Sequence, residues 1–465
     1  LIAAAVAQVI LGRGGFSVTS RVVFVALSAL AAVAALTAGG RVALQARREP
    51  VVVVLVALTG LGAASTLWAE GRPEEPLLWT LLTAGYALLA LAAAATVDAT
   101  NVRRAVLVAI CASAFVSGVV GLLGAATFSD PQAYRPTGAW RPAGTLEYEP
   151  ALALLEVFAL APLLRMLCIG GRVALLAASP AVVAGAVLGL THSRLGLALA
   201  FVVAASAIAF PRQTVRATRA KAVGAVALVV LAGVGARALL GGAVPLGAAA
   251  QDWRVVAVVL ACVCAPLAWA IVERATTRSS VAVLACAVAG LVAAGSVSGF
   301  AGSAAPDQPP RPAAVAAAEH PPHPRIRRLH TDLLHGRGGL WKAGMQAFEQ
   351  RPLQGHGADG FLTATSDLQH RPITSYAHSL PLEFAVELGL AGALLAIGLY
   401  AFAVRAVWRA RRTAAGWLLG VTTIAFLAAN LVDWSWHIPG MGAAWAAATG
   451  ALIAGARASA RTGSP

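Results

Sequence analysis

The chain has 465 residues, of which 59% are hydrophobic and only 12% charged. Soluble domains carry about 25% charged residues, so this chain has too little charge to cover a water-facing surface of its size. Apolar runs of roughly 18 or more residues recur from end to end, which excludes a secreted enzyme, a cytosolic enzyme and a conventional nucleic-acid binder. They give an all-α fold class, a polytopic transmembrane helix bundle.

In chain order, the apolar runs predict spans at 1–12, 18–38, 50–68, 77–97, 104–128, 148–167, 173–191, 195–210, 221–240, 253–273, 281–300, 382–404, 413–430 and 438–455. That is about fourteen, or twelve to thirteen if the short runs 1–12 and 195–210 do not cross. Abundant Ala and Gly allow close helix approach in lipid. The sequence opens on Leu1 rather than Met, so residues upstream are expected; the first run has no basic n-region of a signal peptide. The bundle divides into 1–300, a loop over 301–381, and C-terminal helices over 382–465.

The formal charge of +15 is a topology signal rather than a nucleic-acid signal. Arg41, Arg47, Arg48, Arg103 and Arg104 fill short loops between apolar runs, as do Arg212, Arg216, Arg219, Lys221, Arg274, Arg278, Arg405, Arg409, Arg411 and Arg412. Such loops stay on the cytoplasmic side. With the C-terminus inside, every strongly basic short loop falls inside, and 69–76, 129–147, 241–252 and 301–381 fall outside. The five cysteines, Cys111, Cys168, Cys262, Cys264 and Cys286, lie in or beside apolar runs, so no disulfide framework, metal site or redox use is expected.

The long loop starts with AGSAAPDQPPRPAAVAAAEHPPHPRIRR, a composition that cannot bury a core and favours an extended linker. GGLWKAGMQAFEQRP follows, with Leu340, Trp341, Met345 and Phe348 at helical spacing and Lys342, Gln346 and Glu349 between them. It predicts a short amphipathic helix on the membrane surface or on the bundle. GHGADGF then supplies Gly355, Gly357 and Gly360, a tight loop whose backbone can approach a ligand. All nine histidines, His192, His320, His323, His330, His335, His356, His370, His378 and His437, fall outside or at the outer membrane edge in this topology. An outward-facing site with a titratable base is the functional reading.

Four segments carry ionisable groups at costly depths. In THSR, Arg194 stands between two apolar runs; it suits a bidentate grip on phosphate, and equally snorkelling or compensation of a helix C-terminus. In 335–361, Arg337 precedes the amphipathic helix and Lys342 lies on it. In SYAHSLPLEFAVELGLAG, His378 precedes an apolar helix whose positive N-terminus keeps an imidazole neutral and able to accept a proton. Glu383 and Glu387 follow on one helical face, and Glu387 there needs a polar cavity or a partner such as a buried Arg. NLVDWSWHIPG brings Asp433, Trp434, Trp436 and His437 to the outer face, with both tryptophans suited to the interfacial belt.

Taken in this order, the segments resemble the O-antigen ligase and O-antigen polymerase superfamily. Arg141-Pro-Ala-Gly144 is similar to its external R-x-x-G stretch, and Ser193-Arg194 to its S-R at a span end. Arg337 to Phe361 resembles its R…W…A…F…P-L-x-G-x-G…F segment, with Trp341, Ala347, Phe348, Pro352, Leu353, Gly355, Gly357 and Phe361 in place. His378 to Gly392 resembles its H-x-x-x-L-x-x-x-x-E-x-G-x-x-G segment, through Leu382, Glu387, Gly389 and Gly392. One departure stands out: Pro150 occupies the position where the family often has Asn, so a contact through that Asn is not carried over.

The resemblance implies a GT-C-like glycosyltransferase of the cytoplasmic membrane, with its active site on the extracytoplasmic side and a role in cell-surface polysaccharide biosynthesis. The donor is a glycan on undecaprenyl pyrophosphate and the acceptor a saccharide or glycolipid hydroxyl; no metal, cofactor or nucleic acid is expected. His378 is the candidate base, Arg194 and Arg337 the candidate cations for the leaving diphosphate. Arg141, Lys342, Gly355, Gly357 and Glu387 are candidate substrate contacts. All of this expects Arg194, Arg337 and His378 to share one cavity. The alternative is a transporter or flippase of lipid-linked saccharides. The sequence shows no convincing internal repeat, and its polar candidates crowd one face, which favours an enzyme.

Overall fold

A computed structural model describes residues 1–135, 139–210, 218–242, 252–274, 337–369, 373–411 and 413–462. Within them the chain is an all-α bundle whose only strands are a two-residue pair, β1 (Ala133–Tyr134) and β2 (Arg141–Pro142), antiparallel. The helices are α1 (Ile2–Leu11), α2 (Val18–Arg47), α3 (Pro50–Ser65), α4 (Glu74–Ala95), α5 (Ala99–Thr127), α6 (Glu149–Ile169), α7 (Gly171–Leu190) and α8 (Arg194–Ala209). They continue as α9 (Arg219–Leu240), α10 (Asp252–Arg274), α11 (Arg337–Gln350), α12 (Phe361–Thr365), α13 (Leu380–Ala410), α14 (Ala414–Ala429) and α15 (Pro439–Thr462).

Thirteen of the fourteen expected spans coincide with helices. The span at 281–300 and the Pro/Ala-rich linker lie outside the described residues, as do His320, His323, His330, His335 and His370. Eight of the helices are long and apolar enough to cross a membrane. The runs at 1–12, 50–68, 195–210 and 413–430 form apolar helices of 10–17 residues.

Composition sorts the helices between centre and rim. α6 and the Ala-rich α15 are buried along most of their length, including Phe158, Glu156, Met441 and Trp445. Small side chains there let neighbours approach closely, the packing mode open to helices that gain nothing from hiding apolar surface from lipid. On α7, a Cβ at Gly185 would stand 2.1 Å from the Val229 carbonyl of α9, and one at Gly189 2.2 Å from the Gly233 carbonyl. Outward-facing Val56, Leu176, Phe201 and Ile397 are exposed, as suits a surface solvated by acyl chains.

The connections gather at two ends. One end is basic: Arg457 reaches the Ala94 carbonyl and Glu49, and Lys221 pairs with Glu273. The other carries the long connections, where the 351–358 loop meets residues 65–70, the β1–β2 region meets the 12–17 turn, and residues 376–378 meet 433–437. The four described histidines, His192, His356, His378 and His437, are at this second end. The amphipathic helix also forms, with one correction to its face. Leu340, Ala343, Gly344, Ala347 and Phe348 pack inward, while Met345 is 45% exposed. Gly344 and Ala347 meet α13 and its surroundings closely, and Met345 falls on the other face of the helix.

Candidate functional site

The loop-bearing end is built from short hydrogen-bonded segments. The β1–β2 pair sets Arg141, whose Nη1 donates to Glu149 Oε1 at 2.8 Å. One residue earlier, Tyr148 caps α6 and its hydroxyl donates to Asp433 Oδ1 at 3.0 Å. That same Asp433 oxygen lies 3.4 Å from His378 Nδ1, close but without hydrogen-bond geometry, and Nδ1 is otherwise unpartnered. His378 holds φ 51°, a left-handed backbone that costs a non-glycine residue about 1 kcal/mol or more. Strained residues of this kind concentrate at functional sites.

A second histidine is locked beside it. Buried His437 pairs through Nε2 with Glu383 Oε1, and its Nδ1 stands 3.8 Å from Asp359 Oδ1. The other Glu383 oxygen accepts the Ala377 N–H at 2.9 Å. The Tyr376 ring stacks on His437 at 4.1 Å and on Trp434 at 5.1 Å. Glu383 therefore ties the strained 376–378 turn to the 433–437 loop. Arg21 of α2 completes the cluster, close enough to act electrostatically on Asp359, Tyr376 and His437.

The glycine loop has a different use from the one expected. Gly355 (φ 69°) and Gly357 (φ 100°) are buried, and a Cβ would strike the Glu387 carbonyl at 2.3 Å or Ala69 at 2.4 Å. α13 is broken at Gly389, which leaves carbonyls and amides free, and the loop fills them: His356 N to Val386 O, Gly357 N to Glu387 O, Leu390 N to Pro352 O. The close backbone approach is thus to α13 and to the turn that follows α3, not to an open ligand surface. His356 seals the contact, bridging Glu70 at 2.6 Å and the Ala347 carbonyl at 2.9 Å. Glu387 is likewise fully buried, so it is no direct contact for a surface substrate. Among the described residues it has no Arg partner, and its oxygens approach the Asp359 and Phe361 amides without reaching hydrogen-bond geometry. It lies beneath that loop. Lys342 is exposed on α11.

The three residues expected to share one cavity fall into two groups, Arg194 in one and Arg337 with His378 in the other. Arg194 opens α8, with Ser193 as its cap. It therefore stands at the positive end of a helix dipole, the reverse of the compensating role considered from sequence and a place that favours an anion. Leu197, one turn on, lines an apolar groove of about 960 Å³ between α6, α7, α8 and α9. The groove runs from Arg219 at the basic end to Arg237 at the loop end. Arg237 and Arg141 both act on His192, which keeps φ 53°. Arg337 and His378 form the other group. Arg337 lies one turn before Trp341, whose Nε1 donates to the Ala377 carbonyl at 3.0 Å. None of the three best-formed cavities among the described residues is lined by Arg194, Arg337 or His378. Tyr134 bridges the groups electrostatically, since it feels Glu149 and Arg141 on one side and Asp433 on the other.

Titration behaviour follows from this placement. Burial lowers the His192 pKa, and Arg237 and Arg141 lower it further. Burial alone would also lower His437, but the Glu383 and Asp359 carboxylates outweigh it and raise the pKa. Asp359 is raised by burial and by Glu383, against the pull of His437. Burial together with nearby Glu149 pushes the Tyr134 hydroxyl up to about 12.

Sequence reasoning placed Asp433, Glu383 and His437 in the right segments without giving them a role. It passed over Tyr148, Asp359, Arg21 and Arg237. Asp359 was legible as the only acid in GHGADGF; Arg21 and Arg237 carried no signal beyond being basic residues inside apolar runs. Among the described residues no three His, Cys, Asp or Glu side chains are grouped to hold a metal ion. No protein-family model matches the chain, and no curated protein matches it.

Proposed function

We propose that the protein is a membrane glycosyltransferase that moves a glycan from a polyprenyl diphosphate to a sugar hydroxyl. The reaction takes place at the loop-bearing end, facing away from the cytoplasm. The observation that carries this reading is a strained histidine beside a carboxylate at the same end of the bundle as Arg237, which lines the loop end of an apolar groove. The family resemblance of the four sequence segments supports the same chemistry.

In the proposed step the acceptor hydroxyl oxygen bonds to the anomeric carbon of the donor sugar. The bond from that carbon to the diphosphate oxygen breaks, and the electron pair leaves with the diphosphate. The hydroxyl proton goes to His378 Nε2, the nitrogen turned away from Asp433, which orients the ring and stabilises the imidazolium. The diphosphate gains charge as it leaves and needs cations more than a proton donor. Arg237 lines the loop end of the groove; in this reading Arg194 and Arg141 join it around the diphosphate, and Arg337 reaches in from α11. The apolar walls of α6–α9 suit an isoprenoid tail, and exclusion of water strengthens each guanidinium–phosphate contact.

The test is genetic and chemical. Deleting the gene and sizing the lipid-linked glycan pool should show accumulation: single units if the enzyme polymerises, full-length chains if it ligates. His378→Ala, inserted at normal levels, should reproduce the deletion. An unchanged pool in the deletion strain would remove the proposal.

A further inference from the structure

We propose that a second site, at the opposite end of the bundle, holds the phosphate headgroup of an anionic phospholipid. A pocket of about 450 Å³ lies between the start of α3 and the last turns of α13 and α15. Arg405, Arg409 and Arg457 face it, against a single carboxylate, Glu49. Glu49 lies 3.9 Å from Arg457, which also donates to the Ala94 carbonyl. Arg405 and Arg409 have no hydrogen-bond or ion-pair partner among the described residues.

Both arginines are exposed and line the pocket. They are four residues apart, so they share one helical face and repel. Arg409 complements the C-terminal end of α13, but that does not account for the third wall. There α3 presents its N-terminus, and its N-cap Glu49 makes no side-chain cap. The first turn of α3, which starts at Pro50, is uncapped by side chain and borders the same pocket as the guanidinium groups. A helix N-terminus and three arginines around one space form an anion site with two independent sources of positive potential.

The neighbouring surface identifies the anion as a lipid. Val51, Phe402 and Ile453 line the pocket beside the arginines, which suits the glycerol and first methylenes of acyl chains. Trp408, between Arg405 and Arg409 in sequence, is 64% exposed and stacks on Arg411 at 3.8 Å. An exposed Trp with flanking arginines marks the membrane–water boundary, so the pocket opens at headgroup level. Basic pockets between helix ends at this depth are the recognised form of phospholipid headgroup sites.

The experiment uses the full chain in neutral detergent, titrated with phosphatidylglycerol and followed by native mass spectrometry. Phosphatidylcholine serves as the zwitterionic control, and inorganic phosphate and glycerol phosphate as headgroup-only arms. One retained phosphatidylglycerol per chain is expected, with retention weakened roughly thirtyfold in Arg405→Gln/Arg409→Gln. Arg405→Lys/Arg409→Lys should recover most of it, and its thermal midpoint should match the parent. Equal retention of phosphatidylcholine, or no loss in the Gln double variant, would overturn the site. Inorganic phosphate binding as tightly as phosphatidylglycerol would overturn the lipid as its source.

Discussion

His378 and His437 stand on two loops that stack on one another, and their surroundings differ in kind. His437 is buried, paired to Glu383, faced by Asp359 and covered by Tyr376. Neither its ring nor its proton can move without breaking a contact. His378 is only partly covered, has strained backbone, and meets one carboxylate at 3.4 Å with no hydrogen bond formed. One histidine is a fastener, and the other is held by no hydrogen bond through its Nδ1. The difference shows why residue type alone does not identify a role: both histidines lie beside acids, but only His437 is fully enclosed and paired, while the His378 side chain keeps 19% exposure.

The comparison can be broken most severely at His378. His378→Ala should lower transfer by about 100- to 10,000-fold, the range for a lost general base, with insertion unchanged; a glycan-transfer assay on membranes checks it. Next in size is Arg337→Ala, with an expected loss of about 100- to 1,000-fold if it stabilises leaving-group charge. Arg337→Lys should not restore it, because one ammonium cannot replace a bidentate fork. Full rescue would reduce the requirement to charge alone.

At the fastener the effect should fall on stability. Glu383→Gln leaves His437 without its carboxylate and removes the charge on the Ala377 amide contact. Breaking a buried pair costs about 3–5 kcal/mol, read as a lower unfolding midpoint in detergent. The pH dependence has a definite sign. The folded-state pKa of His437 is raised, so its contribution is complete below the ordinary histidine value of about 6.5 and is lost as pH rises through the raised value. Glu383→Gln should flatten that dependence, and a midpoint that rises with pH in the parent through this window would contradict the assignment. The smallest effect expected is that of a cysteine at Leu353, which is 78% exposed. It should react with an impermeant thiol reagent from outside intact cells while transfer is unchanged. Gly355 is unsuitable for the same label, because any side chain there meets the α13 backbone.

Much of the fold was legible because apolar length and basic loops report on the membrane directly. Thirteen spans needed only the hydrophobic runs, and the placement of the four described histidines at one end followed from loop parity. The candidate site was legible as segments, not as contacts. Arg194 and His378 are separated by 184 residues in sequence, and nothing in the His378 segment says that Tyr148 and Asp433 meet beside it. The glycines of GHGADGF signalled close backbone approach correctly, but the partner was the broken turn at Gly389, which only packing reveals. Arg237 was hidden because its neighbours on α9 make it look like a charge ending a span, whereas α8 and α9 together turn it into the rim of a groove.

The central claim is tested most directly with the purified full chain in nanodiscs, supplied with an oligosaccharide on polyprenyl diphosphate and a saccharide acceptor. The account predicts free polyprenyl diphosphate and a lengthened or newly attached glycan in equal amounts, dependent on acceptor and absent from the His378→Ala protein. Equal product from the parent and from His378→Ala, or none from a parent protein that binds the donor, would contradict it.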